Sequence, residues 1–306
     1  MGYAIEKNDL DRGVLLIKHL RDADRSFGNL PVRKLRASGI GRDCNTELFL
    51  SAAGHESQFD KKTLRIFEIG RVMEPIIAQW MQEDGWEVKH NANDEHGMIM
   101  VVGPGIVTGH YDVIARHPKI TGNEWALLDI KTMNTRRFNA WNKKGIIASD
   151  PAYYAQLLFY GYAWGYKKLG LVGMEKPTGD YEVEIFDFNR KHFEELKARA
   201  ADILDADMAT SLQDKKCEWC SKKDSCGGTM TNPLPKIRDK KYLPDLLASY
   251  DDTFIYTELG NLIKISPRYK LEEMLIPPDG VIFKKPEEPK IDDEVDNEID
   301  DEWIEL

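Results

Sequence analysis

The chain has 306 residues, 42% of them hydrophobic, which is enough for one large core or a core with an appendage. Its formal charge is −10, yet residues 287–306 alone hold eleven acids and one lysine, so the remainder is neutral. A neutral body does not exclude a basic groove, because nucleic acid responds to the local field and not to the total.

No apolar run reaches the length of a membrane span, and the stretch MGYAIEKNDLDRG lacks the basic-then-apolar order of a secretory leader. The expectation is therefore a cytoplasmic protein with no membrane association. Cysteines in such a chain argue against a disulfide framework. Cys44 stands alone while Cys217, Cys220 and Cys226 are clustered, a grouping that suits metal binding.

In chain order, residues 1–30 are charged and mixed, and Leu10 to Leu20 predicts an N-terminal helical segment. A core then spans 31–232. From Ile66 to Trp80, apolar residues at 66, 69, 73, 76, 77 and 80 recur at helical spacing, with Glu74 on the flank of that stripe. Gly85 ends the pattern, and Trp86-Glu87-Val88 opens a strand. Met98 to Val102, Ile106 to Ile114 and Trp125 to Lys131 read as a strand meander, separated by Gly103-Pro104-Gly105 and Thr121-Gly122-Asn123. A helix follows from Pro151 to Trp164, with proline in its first turn. Two more strands, Leu169 to Met174 and Tyr181 to Phe188, precede a helix capped by Asn189 and running to about Leu212. Residues 233–285 form a small appendage with a strand pair, Phe254 to Tyr256 and Leu262 to Ile265. Residues 286–306 are an acidic tail too polar to fold alone.

The chemistry points to Leu128-Asp129-Ile130-Lys131 in a short apolar strand. Alternation puts Asp129 and Lys131 on one face and Leu128 and Ile130 on the other. A lysine beside a carboxylate can orient a water or stabilise charge in a phosphoryl transition state. The carboxylate suits Mg²⁺, which takes one or two protein carboxylates together with water and phosphate oxygens. Asp112 ends the preceding strand region, and Glu74 offers a third acid from the helix before the sheet. Alone, each is ordinary: an Asp-x-Lys triplet is usually strand-edge charge, and a glutamate on an amphipathic helix is usually its solvated rim.

Their order carries more weight than any one of them. Gly70-Arg71-Val72-Met73-Glu74 resembles the Gly-x-x-x-(His/Glu) helix motif of RecB-type and phage exonucleases of the PD-(D/E)xK superfamily. Gly109 to Asp112 resembles their Gly-x-x-Asp motif, Asp129-Ile130-Lys131 their (Asp/Glu)-x-Lys, and Gln156-Leu157-Leu158-Phe159-Tyr160 their Gln-x-x-x-Tyr. The resemblance covers roughly residues 66–160. It implies an α/β, restriction-endonuclease-like core, a central mixed sheet of about five strands flanked by helices. It also implies metal held by Glu74, Asp112, Asp129 and the Ile130 carbonyl, with Lys131 activating water and Gln156 and Tyr160 orienting the strand. The activity implied is Mg²⁺- or Mn²⁺-dependent exonuclease action on DNA, 5′-to-3′ on single strands, in recombination, replication or repair. A structure-specific endonuclease and a non-catalytic DNA-binding assembly factor are the alternatives.

Cys217-x₂-Cys220-x₅-Cys226 with the distant Cys44 resembles the iron–sulfur staple of CRISPR-associated nucleases, in which four thiolates share one 4Fe-4S cluster. A four-cysteine zinc site remains the competitor. Basic clusters accompany the motifs. Arg136 to Lys144, interleaved with Phe138 and Trp141, could grip phosphates and stack on bases, or be a solvated loop. The tail ending Asp300-Asp301-Glu302-Trp303-Ile304-Glu305-Leu306 resembles partner-recruiting C-termini of single-stranded DNA-binding proteins, which would bring in a replication or recombination protein. It could equally be a solubilising tail.

Overall fold

The structure is a computed structural model that describes residues 14–18, 33–55, 57–91, 96–209, 220–226, 230–234, 236, 253–256 and 262–265. The acidic tail and Cys217 lie outside these residues, and the helix expected to run to about Leu212 ends at Asp205, before a short strand at Met208–Ala209.

The chain opens with β1 (Val14–Lys18), where a helical segment was expected. What overrides the local signal is a distant partner: β1 pairs antiparallel with β4 (His96–Val102), from Val14 opposite Met100 to Lys18 opposite His96. β2 (Lys34–Arg36) follows, then the short α1 (Ala37–Ile40) and α2 (Asn45–Ala52). The long α3 (Lys61–Glu83) starts at Asp60, whose side chain accepts from Thr63 N at 2.7 Å. Beyond β3 (Glu87–His90) come β4, β5 (Gly105–His110), β6 (Val113–Arg116) and β7 (Ala126–Met133). The second half holds α4 (Thr135–Lys144), α5 (Ile146–Ser149), α6 (Pro151–Trp164), β8 (Lys168–Glu175), β9 (Tyr181–Asp187) and α7 (Arg190–Asp205). β10 (Met208–Ala209) pairs with β11 (Met230–Thr231), and β12 (Thr253–Tyr256) with β13 (Leu262–Ile265).

The strands expected as one meander are divided between two sheets. A mixed five-stranded sheet has the order β3-β6-β7-β8-β9, parallel only between β7 and β8. A four-stranded sheet has the order β1-β4-β5-β2. The chain leaves one and enters the other at Tyr111-Asp112, between β5 and β6. A mixed sheet flanked by helices is thus present as expected.

The two faces of the five-stranded sheet are buried differently. Leu128, Ile130, Val172 and Met174 pack with Ile77, Ala78 and Met81 of α3. The other face, with Leu127, Leu169 and Leu171, packs against α6. α6 is buried from Tyr154 to Ala163, as suits a helix apolar on all sides, and it lies in one core with Met98, Met100 and Val107 of the second sheet.

α4 turns its aromatic residues inward. Trp141 is 2% exposed and Phe138 6%, so neither ring is available to stack on a base, and the segment is a helix and not a loop. Gly173 makes the room: a Cβ there would lie 2.2 Å from the Trp141 ring. The indole Nε1 donates to Glu184 Oε2 at 2.5 Å, and the same carboxylate accepts from Ile146 N at 2.9 Å.

Arg33 closes the core at its C-terminal side. Only 3% exposed, it donates to the carbonyls of Leu204 (2.9 Å), Ala206 (2.7 Å) and Leu234 (3.0 Å) and pairs with Asp207 at 3.3 Å. These acceptors end α7 and carry the following segment back to β2. Arg33→Met removes all four donors and leaves buried carbonyls unpaired, so we predict a loss of about 3 kcal/mol, read as a lower urea midpoint. A midpoint within error of the parent would show that the latch contributes nothing net.

Candidate active site

β7 positions the central pair. Asp129 is wholly buried, and its Oδ2 lies 2.7 Å from Lys131 Nζ, two residues on and on the same face. Lys131 is thus the charged neighbour of this buried oxygen. Oδ1 accepts from Gln156 Nε2 at 2.9 Å, and the same nitrogen lies 3.1 Å from the Tyr160 hydroxyl. Gln156 and Tyr160, one turn apart on α6, thus reach the acid across the core. Burial pushes the Asp129 carboxyl up to about 7; Lys131 opposes the rise and Asp112 adds to it. Burial works against the charge on Lys131 but is outweighed by Asp129 and Asp112, so the ammonium is held protonated. Burial, with the two acids, raises the Tyr160 phenol and keeps it neutral.

Asp112 enters at the break between sheets. Its Oδ2 accepts from Ile130 N at 2.6 Å and lies 3.7 Å from Lys131 Nζ. The carboxylate takes a β7 amide just past the end of the β6 ladder, whose last pair is Val113 with Leu128. Asn91 fixes the break: its Nδ2 donates to Tyr111 O and its backbone N to Asp112 O, both at 2.8 Å. Sequence reasoning missed Asn91, a lone amide after a short strand with no motif around it. The Ile130 carbonyl, between the acids, accepts from Lys131 Nζ at 3.2 Å.

Gly109 has a steric reason to be glycine. A Cβ there would lie 2.5 Å from Tyr160 Cε1, so the first residue of the Gly-x-x-Asp run makes room for the last of the Gln-x-x-x-Tyr run. Tyr153, one turn before Gln156, brings its ring centroid within 5.3 Å of Lys131 Nζ and 4.6 Å of the Arg137 guanidinium. Arg137 in turn donates to Asp150 from Nε at 2.8 Å.

Glu74 is placed differently. It is half-buried on α3, which covers the Leu128–Ile130 face and not the face of Asp129 and Lys131. Gly70, one turn earlier, faces Thr132 of β7, with a built Cβ 3.9 Å from its Oγ1. Asp112, Asp129, Lys131, Gln156 and Tyr160 are linked by direct contacts. Among the described residues no group of three or more His, Cys, Asp or Glu side chains gathers as a metal site, so the expected three-acid cage is not assembled. The carboxylates of Asp112 and Asp129 and the Ile130 backbone carbonyl nonetheless form an all-oxygen donor set of the kind that hard divalent cations take.

The same holds for the cysteines. Cys44, Cys220 and Cys226 are half-buried, and among the described residues these three form no such group. Cys217, the fourth thiolate of the expected staple, lies outside the described residues. Cys44 Sγ caps α2 by accepting from Glu47 N, and Cys220 Sγ accepts from Lys222 N, each at 3.4 Å. The two regions meet where Gln58 N donates to Ser221 O at 3.1 Å and Lys222 Nζ to His55 O.

No family model and no curated protein matches the chain. Among solved structures it is similar to an alkaline exonuclease from Laribacter hongkongensis, at 15% identity and TM-score 0.41, over 59% of this chain and 90% of that one. The same exonuclease in complex with dAMP aligns at TM-score 0.42 and 15% identity over 59% and 90%. A phage-related exonuclease from Haemophilus somnus 129PT aligns at 14% identity and TM-score 0.43, over 58% of this chain and 95% of that one. Likeness at this level assigns no activity to the chain.

Two substitutions test the geometry. Gly109→Ala is expected to displace Tyr160 and with it the Gln156–Asp129 bond, and Asn91→Ala to loosen Asp112. Each should weaken binding of Mn²⁺, followed calorimetrically, by about 10-fold or more. Parent-like affinity in both variants would separate these contacts from the site.

Proposed function

We propose that the chain is a divalent-metal-dependent deoxyribonuclease that hydrolyses phosphodiester bonds from the ends of DNA strands. The observation that carries this reading is the buried Asp129 beside Lys131, with Asp112 bonded to the intervening Ile130 amide. Two acids around one ammonium leave a net negative pocket, which favours a cation and, unaided, repels a phosphate. Asp112, Asp129 and the Ile130 carbonyl would hold Mg²⁺ or Mn²⁺, with Glu74 of α3 as a further proposed ligand. When bound, the metal supplies a water of lowered pKa and polarises the phosphate. Lys131, fixed by both acids, orients that water or stabilises charge building on the phosphate oxygens. Gln156 holds Asp129 in one rotamer, and the neutral Tyr160 hydroxyl fixes Gln156. Action on single strands with 5′-to-3′ polarity is the form of the reading that the sequence motifs support.

Lys131→Ala is predicted to lower the cleavage rate about 100- to 1000-fold with the fold intact. The assay is shortening of end-labelled single-stranded DNA with Mn²⁺ or Mg²⁺, beside a closed circle of the same sequence. A circle left uncut supports exonuclease action, and a cut circle replaces it with an endonuclease. Folded parent protein that shortens neither substrate at any metal concentration overturns the enzymatic reading and leaves a DNA-binding factor.

The cysteines support a separate reading, a bound 4Fe-4S cluster. Its support is the spacing of Cys217, Cys220 and Cys226, the amide donors to Cys44 and Cys220 Sγ, and the contact between residues 55–58 and 221–222. Purified protein holding zinc, or no metal, would remove it.

A further inference from the structure

Helix α3 is buried at Ile77, Ala78 and Met81 but bares its N-terminal half. Leu64 is 51% exposed, Phe67 52%, Ile69 50% and Val72 56%, far from the covered face that a core helix would give them. Phe59, just before the helix and also exposed, meets Phe67 edge-on with ring centroids 5.0 Å apart. Leu64 and Phe67, three residues apart, share one side of the helix with Phe59 beside them, and exposed apolar residues grouped in this way mark an interaction surface.

The charges on this half-helix select the partner. Lys61, Lys62, Arg65 and Arg71 share residues 59–72 with only Asp60 and Glu68, and Asp60 is engaged as the helix cap. None of the four cations forms an ion pair among the described residues. Cations interleaved with aromatic and aliphatic side chains suit unpaired nucleotides, whose phosphates need charge and whose bases need an apolar platform. Interfaces between protein copies, by contrast, are depleted of lysine at their centres. The position also fits. Phe67 lies about 10 Å along the helix axis from Glu74, and Gly70 between them faces Thr132, next to Lys131.

We propose that Phe59 and the exposed N-terminal half of α3 form a platform for single-stranded DNA beside the acidic site. Phe59, Leu64 and Phe67 receive bases, and Lys61, Lys62, Arg65 and Arg71 receive phosphates. The platform rests on the nuclease reading for its role but not for its measurement.

The test uses the full chain with Leu64→Ser/Phe67→Ala and, separately, Arg65→Ala, all at exposed positions. Binding of fluorescent dT20 in EDTA is followed by anisotropy at several salt concentrations. Hydrolysis of bis(p-nitrophenyl) phosphate with Mn²⁺ reads the metal site without a DNA strand. The expected result is dT20 binding weakened about tenfold by the double variant, and a shallower salt dependence for Arg65→Ala. The small diester should be hydrolysed at the parent rate in both. Unchanged dT20 affinity in the double variant overturns the platform. So does sedimentation showing that the parent is an oligomer that the double variant splits, which assigns the face to a second copy. Failure of the parent to hydrolyse either DNA or the small diester sinks the nuclease reading alone, because dT20 binding in EDTA still reports on the platform.

Discussion

A carboxylate cut off from water in the middle of a sheet is costly to keep charged, and the rest of this site is arranged around that cost. Asp129 on β7 has Lys131 at 2.7 Å and the Gln156 amide at 2.9 Å, so both oxygens have positive or donor neighbours inside a low-dielectric core. A buried pair of this kind contributes little net stability compared with apolar packing in the same space. Its retention is better explained by the negative, pre-oriented pocket it creates with Asp112. Burial pushes Asp129 toward neutrality, and a cation of the kind proposed above would offset that push.

The surrounding fold serves that pocket through long-range contacts. Gly109 gives Tyr160 its place, Asn91 holds the bend that presents Asp112, and the parallel pairing of β7 with β8 keeps the Asp-x-Lys strand interior to the sheet. Arg33 and Glu184 act farther out. Each gathers several backbone or side-chain groups from segments distant in sequence, and each is a single charged group almost fully used by partners.

Local signals carried much of this. Alternation along β7 foretold the shared face of Asp129 and Lys131. Pro151 opens α6 as its position implied, and Asn189 caps α7 by accepting from His192 N at 3.0 Å. Where the reading failed, the cause was nonlocal. Periodicity reports that apolar residues recur on a helix but not which of them will be covered, so Ile66, Ile69 and Ile76 of the expected α3 stripe are exposed while Ala78 and Met81 are buried. Phe138 and Trp141 looked like surface stackers until Gly173 and Glu184, far along the chain, supplied a cavity and an acceptor.

The crossing at Tyr111-Asp112 has a mechanical meaning. β5 of the four-stranded sheet and β6 of the five-stranded sheet are separated by two residues, and the second of them is a proposed metal ligand tied to Ile130 N at 2.6 Å. A tilt of one sheet against the other would pass through those two peptide units and alter the gap between the acids directly. The smaller sheet is therefore a lever on the site, and whatever presses on β4 or β5 would be felt at Asp112 before it is felt at Asp129.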